Sequence, residues 1–217
     1  MRTNLIEDSA SSDSEIVKRI LAGEAELYEI LIRRYDRRLY RVARAIVRND
    51  QEAEDVVQEA YVRAYQHLAQ YEGRAPFSTW LTKIAIYEAW NRMKRFSKQE
   101  KLGAIEAPSR QTGRVTRTAE DDLLTKEARA SLESAIDHLP EKYRSVFVMR
   151  SLEDMSTAET AKCLDLTEDT VRVRLSRARR MLRRGLYERA RAASADTFEF
   201  LAERCDRLTA NVLARIR

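Results

Sequence analysis

Apolar residues recur every three to four positions over most of the chain, and the positions between them are largely charged. That period puts one apolar stripe on each of a series of amphipathic helices. In residues 14–48 the stripe is Leu27, Ile30, Leu31, Leu39, Val42 and Ile46, with Gly23 at a break, which predicts one or two helices. Residues 51–70 predict another, with Ala53, Val56, Val57, Ala60, Tyr61, Ala64 and Leu68 inward. YEGRAPFS, residues 71–78, carries Gly73 and Pro76 and reads as a loop. Residues 78–96 predict the helix that completes a first domain.

The period then fails. Gly103, Pro108 and Gly113 among scattered polar residues mark a flexible linker. Periodicity returns near Leu123, with helices predicted over residues 125–137, 141–151, 157–163 and 168–186. The last two, joined by CLDLT, have helix-turn-helix spacing. The C-terminal stretch can form a further amphipathic helix through Leu201, Cys205, Leu208, Val212 and Ile216. The expected organisation is a disordered tail (1–13), a helical domain (14–97), a linker (98–122), a helix-turn-helix domain (123–188) and a C-terminal extension (189–217).

Composition agrees with an all-α chain of two small helical domains. Among 217 residues there are five Gly and three Pro, too few for a turn-rich β protein. No apolar run approaches the length of a membrane span, and the first residues are not a secretory signal, so a cytoplasmic protein without membrane insertion is expected. Cys163 and Cys205 form no CxxC pair and read as reduced thiols. His67 and His138 are not grouped with acids or cysteines as metal ligands. With no Gly-rich phosphate loop and no nucleophile elbow, the chain predicts no enzyme: no catalytic residue, metal, cofactor or small-molecule substrate.

Charge is where chemistry enters. Between Arg172 and Arg184 there are seven arginines and no acid. On a helix, Val171, Leu175, Ala178 and Leu182 form one narrow stripe, flanked by Arg172, Arg179 and Arg183 on one side and Arg174 on the other. Arg177, Arg180 and Arg184 point away from it. Thr167 is the expected N-cap, with Glu168 and Asp169 complementing the positive helix end. A membrane-surface helix needs a wider apolar face, and a solvated one mixes Glu with its Arg. Unmixed arginine fits a polyanion best.

Two further stretches leave alternatives open. Asp50 and Glu52 suit a helix N-terminus, but Asp55, Gln58 and Glu59 share a face beyond the first turn and suit either solvent or a basic protein partner. FSTWLTKIAIYEAWNRMKR interleaves Phe77, Trp80, Tyr87 and Trp90 with Lys83, Arg92, Lys94 and Arg95. Such rings make either core or a platform for unstacked bases.

Taken in order, these parts resemble a bacterial RNA polymerase sigma factor of the extracytoplasmic-function (ECF, group IV) class, over about residues 14–186. AEDVVQEAYVRAY is similar to region 2.1–2.2, FSTWLTKIAIYEAWNRMKR to regions 2.3–2.4, and LPEKYRSVFVMRSLEDMSTAETAKCLDLTEDTVRVRLSRARRMLRR to region 4. The resemblance implies a promoter-specificity subunit that binds core polymerase, recognises the −35 and −10 elements and answers to an anti-sigma factor, which can hold it at the membrane. Asp55, Gln58 and Glu59 match positions that bind the β′ clamp helices, a docking aided by region 4 on the β flap. The Gly73–Thr79 loop, Trp80, Lys83, Tyr87, Asn91, Arg92, Lys94 and Arg95 match the −10 reader. Arg172, Val173, Ser176 and Arg177 match base-facing positions of the −35 reader, and Arg174, Arg179 and Arg180 suit phosphates.

Three positions depart from common patterns. Tyr87 stands where ECF members often have Asn, and Asp165 where the helix-turn-helix turn commonly has Gly; Asp tolerates left-handed geometry better than most residues. Lys83 and Ile84 replace the aromatic wedge of primary sigma factors, which implies weaker DNA melting and a need for near-consensus promoters. The −10 and −35 elements lie ~70 Å apart, at ~34 Å per duplex turn. A linker of about 25 residues spans at most ~80–90 Å, so it is expected to be extended when both domains are docked. The rival reading is a stand-alone helix-turn-helix regulator, which gives residues 125–186 a role but leaves the acidic and aromatic faces without one.

Overall fold

The computed structural model describes residues 11–101 and 121–195, all of it helical or in connecting turns, with no strand among the described residues. Helix α1 (Asp13–Leu21) starts where the Ser12 Oγ accepts the Glu15 N–H, and it buries Ile16, Val17 and Ile20. Gly23, at φ 114°, turns the chain where other residues would be strained. A short turn (Ala25–Leu27) leads into α2 (Tyr28–Val47), which ends at Arg48 in the left-handed region. Asn49 caps α3 (Asp50–Gln66) by accepting the Glu52 N–H at 2.9 Å. After a one-turn segment (Leu68–Gln70) and a loop, α4 runs Phe77–Lys101, four residues into the stretch expected to be linker.

Helices α2, α3 and α4 pack side by side with α1 against α2. Leu31, Leu39 and Leu81 are fully buried between them, each contributing about 1.5–3 kcal/mol by transfer from water. Tyr71, Phe77 and Trp80 form a ring cluster with centroids 5.4–5.5 Å apart. The two N-terminal rings of the aromatic helix therefore serve packing.

The second half holds α5 (Asp121–Asp137), α6 (Glu141–Phe147), α7 (Thr157–Leu164) and α8 (Glu168–Ala195). A π turn, Val148–Leu152, succeeds α6 where the pattern predicted continuous α-helix to residue 151. The extra residue in a π turn rotates the downstream chain about the helix axis; here Val146, Val148 and Met149 are all buried. Ser156 and Glu159 form a reciprocal capping box at the start of α7, with N–H to oxygen distances of 3.1 and 2.8 Å. Asp165 ends α7 at φ 51°, ψ 49°, the left-handed geometry expected of it. Helix α8 continues nine residues past its expected end at 186. The C-terminal helix expected around Leu201–Ile216 lies outside the described residues.

The two halves share a core. Val42, Ala43, Ile46, Ala53, Val56, Ile86 and Ala89 join Val146, Met149, Met155, Ala161, Cys163, Leu164 and Val171 in one buried cluster. Polar contacts surround it. Glu153, 6% exposed, is 2.9 Å from Arg41 and 3.7 Å from Arg38. Asp137 is 2.9 Å from Arg44, and Trp90 donates its indole N–H to Glu141 at 3.2 Å. Arg144, 2% exposed, donates to the backbone carbonyls of Ala45, Asp137 and Leu139. Burial pushes its pKa down to about 10. Cys163 sits in the same cluster and directs its thiol at the Thr79 carbonyl, 3.5 Å away; burial pushes that thiol up to about 12.

Candidate nucleic-acid and polymerase interfaces

The helix-turn-helix is built by local rules. Leu166 donates its N–H to the Ala161 carbonyl at 2.9 Å, closing the turn around Asp165. Thr167 caps α8 by accepting the Thr170 N–H at 3.2 Å. Val171, Ala178 and Leu182 face inward, as the stripe predicted. That orientation leaves Arg172, Val173, Ser176, Arg177, Arg179 and Arg180 exposed, with Arg174 half-buried.

Several of these arginines are engaged. Arg172 pairs with Asp169 at 2.5 Å and Glu168 at 3.1 Å, so the first-turn acids hold it. Arg177 hydrogen-bonds the Tyr143 phenol and lowers its pKa. Arg179 reaches the Ser151 hydroxyl at 3.5 Å. Their other N–H groups, and those of the neighbouring guanidiniums, are donors of the kind that bind phosphate or, bidentately, guanine.

On the first half, α3 and α4 enclose an open hollow of about 430 Å³. Asp55, Gln58 and Glu59 line it from α3; Asn91, Arg92 and Arg95 line it from α4. The acidic face and the basic end of the aromatic helix, separate motifs in the sequence, are thus one surface. Arg92 bridges them, pairing with Glu52 and, at 2.6 Å, with Asp55. Burial alone would lower the Arg92 pKa, but these two carboxylates raise it. Arg63 spans the hollow to Glu88 at 2.9 Å, and its guanidinium lies 6.0 Å from the centre of the Tyr87 ring.

Glu52, Arg63 and Glu88 stand outside the interface sets expected from the sequence. For Arg63 and Glu88 spacing carries the signal: Arg63 is four residues after Glu59 and Arg92 four after Glu88, so each pair shares a helix face.

The other members of the expected −10 set are divided. Trp80 is half-buried in the ring cluster, and Trp90 is half-buried against the second half. Tyr87 is 54% exposed, the ring of the four most open to a base. Lys94 and Arg95 are exposed. Lys83 is engaged by Asp165, Nζ to Oδ1 at 2.6 Å. Among the described residues, no group of three or more His, Cys, Asp or Glu side chains is arranged to hold a metal, and no helix is long and apolar enough to cross a membrane.

Comparison with known proteins matches these two halves in order. The family model described as Sigma-70 region 2 matches residues 31–100, and that described as Sigma-70, region 4 matches residues 129–182. The ECF RNA polymerase sigma-E factor of Haemophilus influenzae is 31% identical over 178 residues, covering 79% of this chain and 93% of that protein. The sigma-E factor of Escherichia coli strain K12 is 32% identical over 175 residues, 77% of this chain and 91% of that protein. ECF sigma factor SigW of Bacillus subtilis is 29% identical over 176 residues, 78% and 94% of the two chains.

Two solved structures share the fold. The sigma factor RpoE in complex with the anti-sigma factor NepR, from Bartonella quintana, has a TM-score of 0.62 at 20% identity over 74% of this chain and 96% of that one. CnrH in complex with the cytosolic domain of CnrY has a TM-score of 0.58 at 22% identity over 82% and 99%. With both regions matched in chain order and relatives above 30% identity aligned over nearly their full length, the chain belongs to the ECF sigma factors, which direct bacterial RNA polymerase to its promoters.

Proposed function

We propose that three surfaces carry the sigma activity in this chain. Asp55, Gln58 and Glu59 dock on the basic β′ clamp helices of core polymerase. Helix α4, through Trp80, Lys83, Tyr87, Asn91, Arg92, Lys94 and Arg95, with the Gly73–Thr79 loop, takes the −10 element. Helix α8 enters the −35 major groove, with Arg172, Val173, Ser176 and Arg177 toward bases and Arg174, Arg179 and Arg180 toward phosphates. Region 4 also meets the β flap. An anti-sigma factor covers these surfaces in the uninduced cell, holding the chain at the membrane or in the cytoplasm.

The observation that carries this reading is the hollow between α3 and α4. It joins a carboxylate face too far along α3 to be explained by the helix dipole to the polar end of the aromatic helix. A solvated acidic helix gives no reason for that adjacency. A factor that must couple polymerase docking to DNA capture does. The exposed, unmixed arginines after the helix-turn-helix turn support the −35 assignment.

Reconstitution tests the reading. Core polymerase with this chain should initiate on host genomic DNA at discrete sites that share two upstream elements, and the Asp55→Ala/Gln58→Ala variant should lose them. Binding to duplex DNA without initiation above core polymerase alone, using core from the same organism, would refute the assigned roles.

A further inference from the structure

We infer that Arg63, an α3 residue outside the expected −10 set, is a positioning residue for base capture: it braces the Tyr87 ring as a shelf on which one unstacked purine of the opened −10 element stacks. This rests on the reading of α4 as the −10 helix.

The rings of the aromatic motif narrow to one. Phe77 is buried, and Trp80 packs against it and Tyr71. Trp90 is half-buried and gives its indole N–H to Glu141. Tyr87 is the ring left open. An exposed ring on a helix turns about its side-chain bonds, and stacking a base on it costs that freedom. A ring held beforehand costs less.

Arg63 supplies the hold. Its guanidinium carbon lies 6.0 Å from the centre of the Tyr87 ring, at the range where a cation is attracted to a π face. The guanidinium is itself fixed. One nitrogen is 2.9 Å from Glu88, whose side chain is 8% exposed, and another is 3.8 Å from Glu59. A carboxylate buried so far needs its cation, so Glu88 does not release Arg63 to solvent. Tyr87 and Glu88 are neighbours on α4, ~100° apart around its axis. One arginine therefore reaches the inward acid and the outward ring together.

The shelf selects by overlap. A phenol ring stacks on any base, but the fused rings of a purine cover it more fully than a pyrimidine does. Docking readies the shelf. Glu59 is exposed and belongs to the face assigned to the β′ clamp. Once it turns to a basic partner, Arg63 is left to Glu88 and the ring.

Aminopurine, a fluorescent adenine analogue that is dark when stacked, tests the shelf on the holoenzyme. It is placed at each −10 position in turn, on a promoter found by the reconstitution above, and its emission is read in the open complex. At one position Tyr87→Ala should raise emission several-fold. The preference for a purine there should fall about five-fold or more, the low end of what stacking one base on a ring contributes. Arg63→Ala alone would strand Glu88, so Arg63→Ala/Glu88→Ala, which removes both charges together, tests the brace. It should brighten the same position and leave the others as they are. If only Tyr87→Ala brightens that position, the role of Arg63 is overturned and the −10 reading stands. A change spread evenly over all positions in the paired variant marks a merely structural role and also overturns it. Emission unmoved by Tyr87→Ala at every position, with promoter opening intact, overturns the shelf. A parent chain with which no −10 position unstacks refutes the α4 reading itself, and this inference falls with it.

Discussion

Asp55 holds the Arg92 guanidinium at 2.6 Å, so a residue assigned to polymerase and a residue assigned to DNA are each other's ionic partner. Neither can take its outside partner without loosening this pair. Arg92→Ala should therefore have opposite effects in two assays. Core-polymerase affinity should rise about two- to five-fold, the scale of a part-exposed ion pair, because Asp55 no longer has an internal competitor. Promoter binding by the holoenzyme should fall. Titration of labelled chain with core polymerase, beside holoenzyme footprinting on one promoter, checks both signs.

Arg177 and Arg180 are both exposed on α8 but have different expected targets. Arg177→Ala should cost about 1–3 kcal/mol at a consensus −35 element and relax the preference at one base pair. Arg180→Ala should weaken all sequences alike and lower the salt dependence by about one counterion. Binding isotherms on a panel of single-base variants at several salt concentrations separate the two.

Arg144 should stabilise the contact between the two halves. It joins the Ala45 carbonyl of α2 to the Asp137 and Leu139 carbonyls at the end of α5. Arg144→Met fits the volume but leaves those acceptors in a dry site, at about 1–3 kcal/mol for an unsatisfied buried group. Thermal unfolding should show a drop of several degrees.

The capping box predicts a pH effect. Hydrogen bonds from Ser156, side chain first and backbone next, lower the Glu159 pKa below its ordinary 4.5. A carboxylate depressed in the folded state adds stability above its unfolded value and loses it as pH falls through the folded one. Melting temperature should thus decline as pH drops below about 4.5. In Ser156→Ala that decline should be shallower, on a curve lowered at neutral pH by the lost cap, about 1 kcal/mol.

The helices themselves were legible in the sequence, because each has one strongly apolar face and recognisable caps. The Val171–Leu182 stripe, the Thr167 cap and the left-handed Asp165 all stand where their residue types required. Contact between the halves was not legible. Val42, Ile46 and Ile86 look like ordinary core positions, and periodicity cannot say whether a buried residue faces its own domain or the next one. The π turn was hidden for a related reason, since an inserted residue leaves the local pattern helical. Helix α8 outran its expected end because residues 187–195 favour helix without an apolar stripe to announce it. For the aromatic helix, the sequence left core and platform equally open. The structure divides them ring by ring, with Phe77 buried and Tyr87 open.

The backbone at Asp165 is one that glycine adopts without strain and aspartate only at some cost. Replacing Asp165 by glycine would relieve the turn and remove the Lys83 pair at the same stroke, two small effects of opposite sign. Fold stability is then nearly blind to the choice, whereas the contact with Lys83 of α4 is not. Aspartate and glycine codons differ by a single second-position base. One transition mutation can therefore exchange the ionic contact with α4 for an unstrained turn, without passing through an unfolded intermediate.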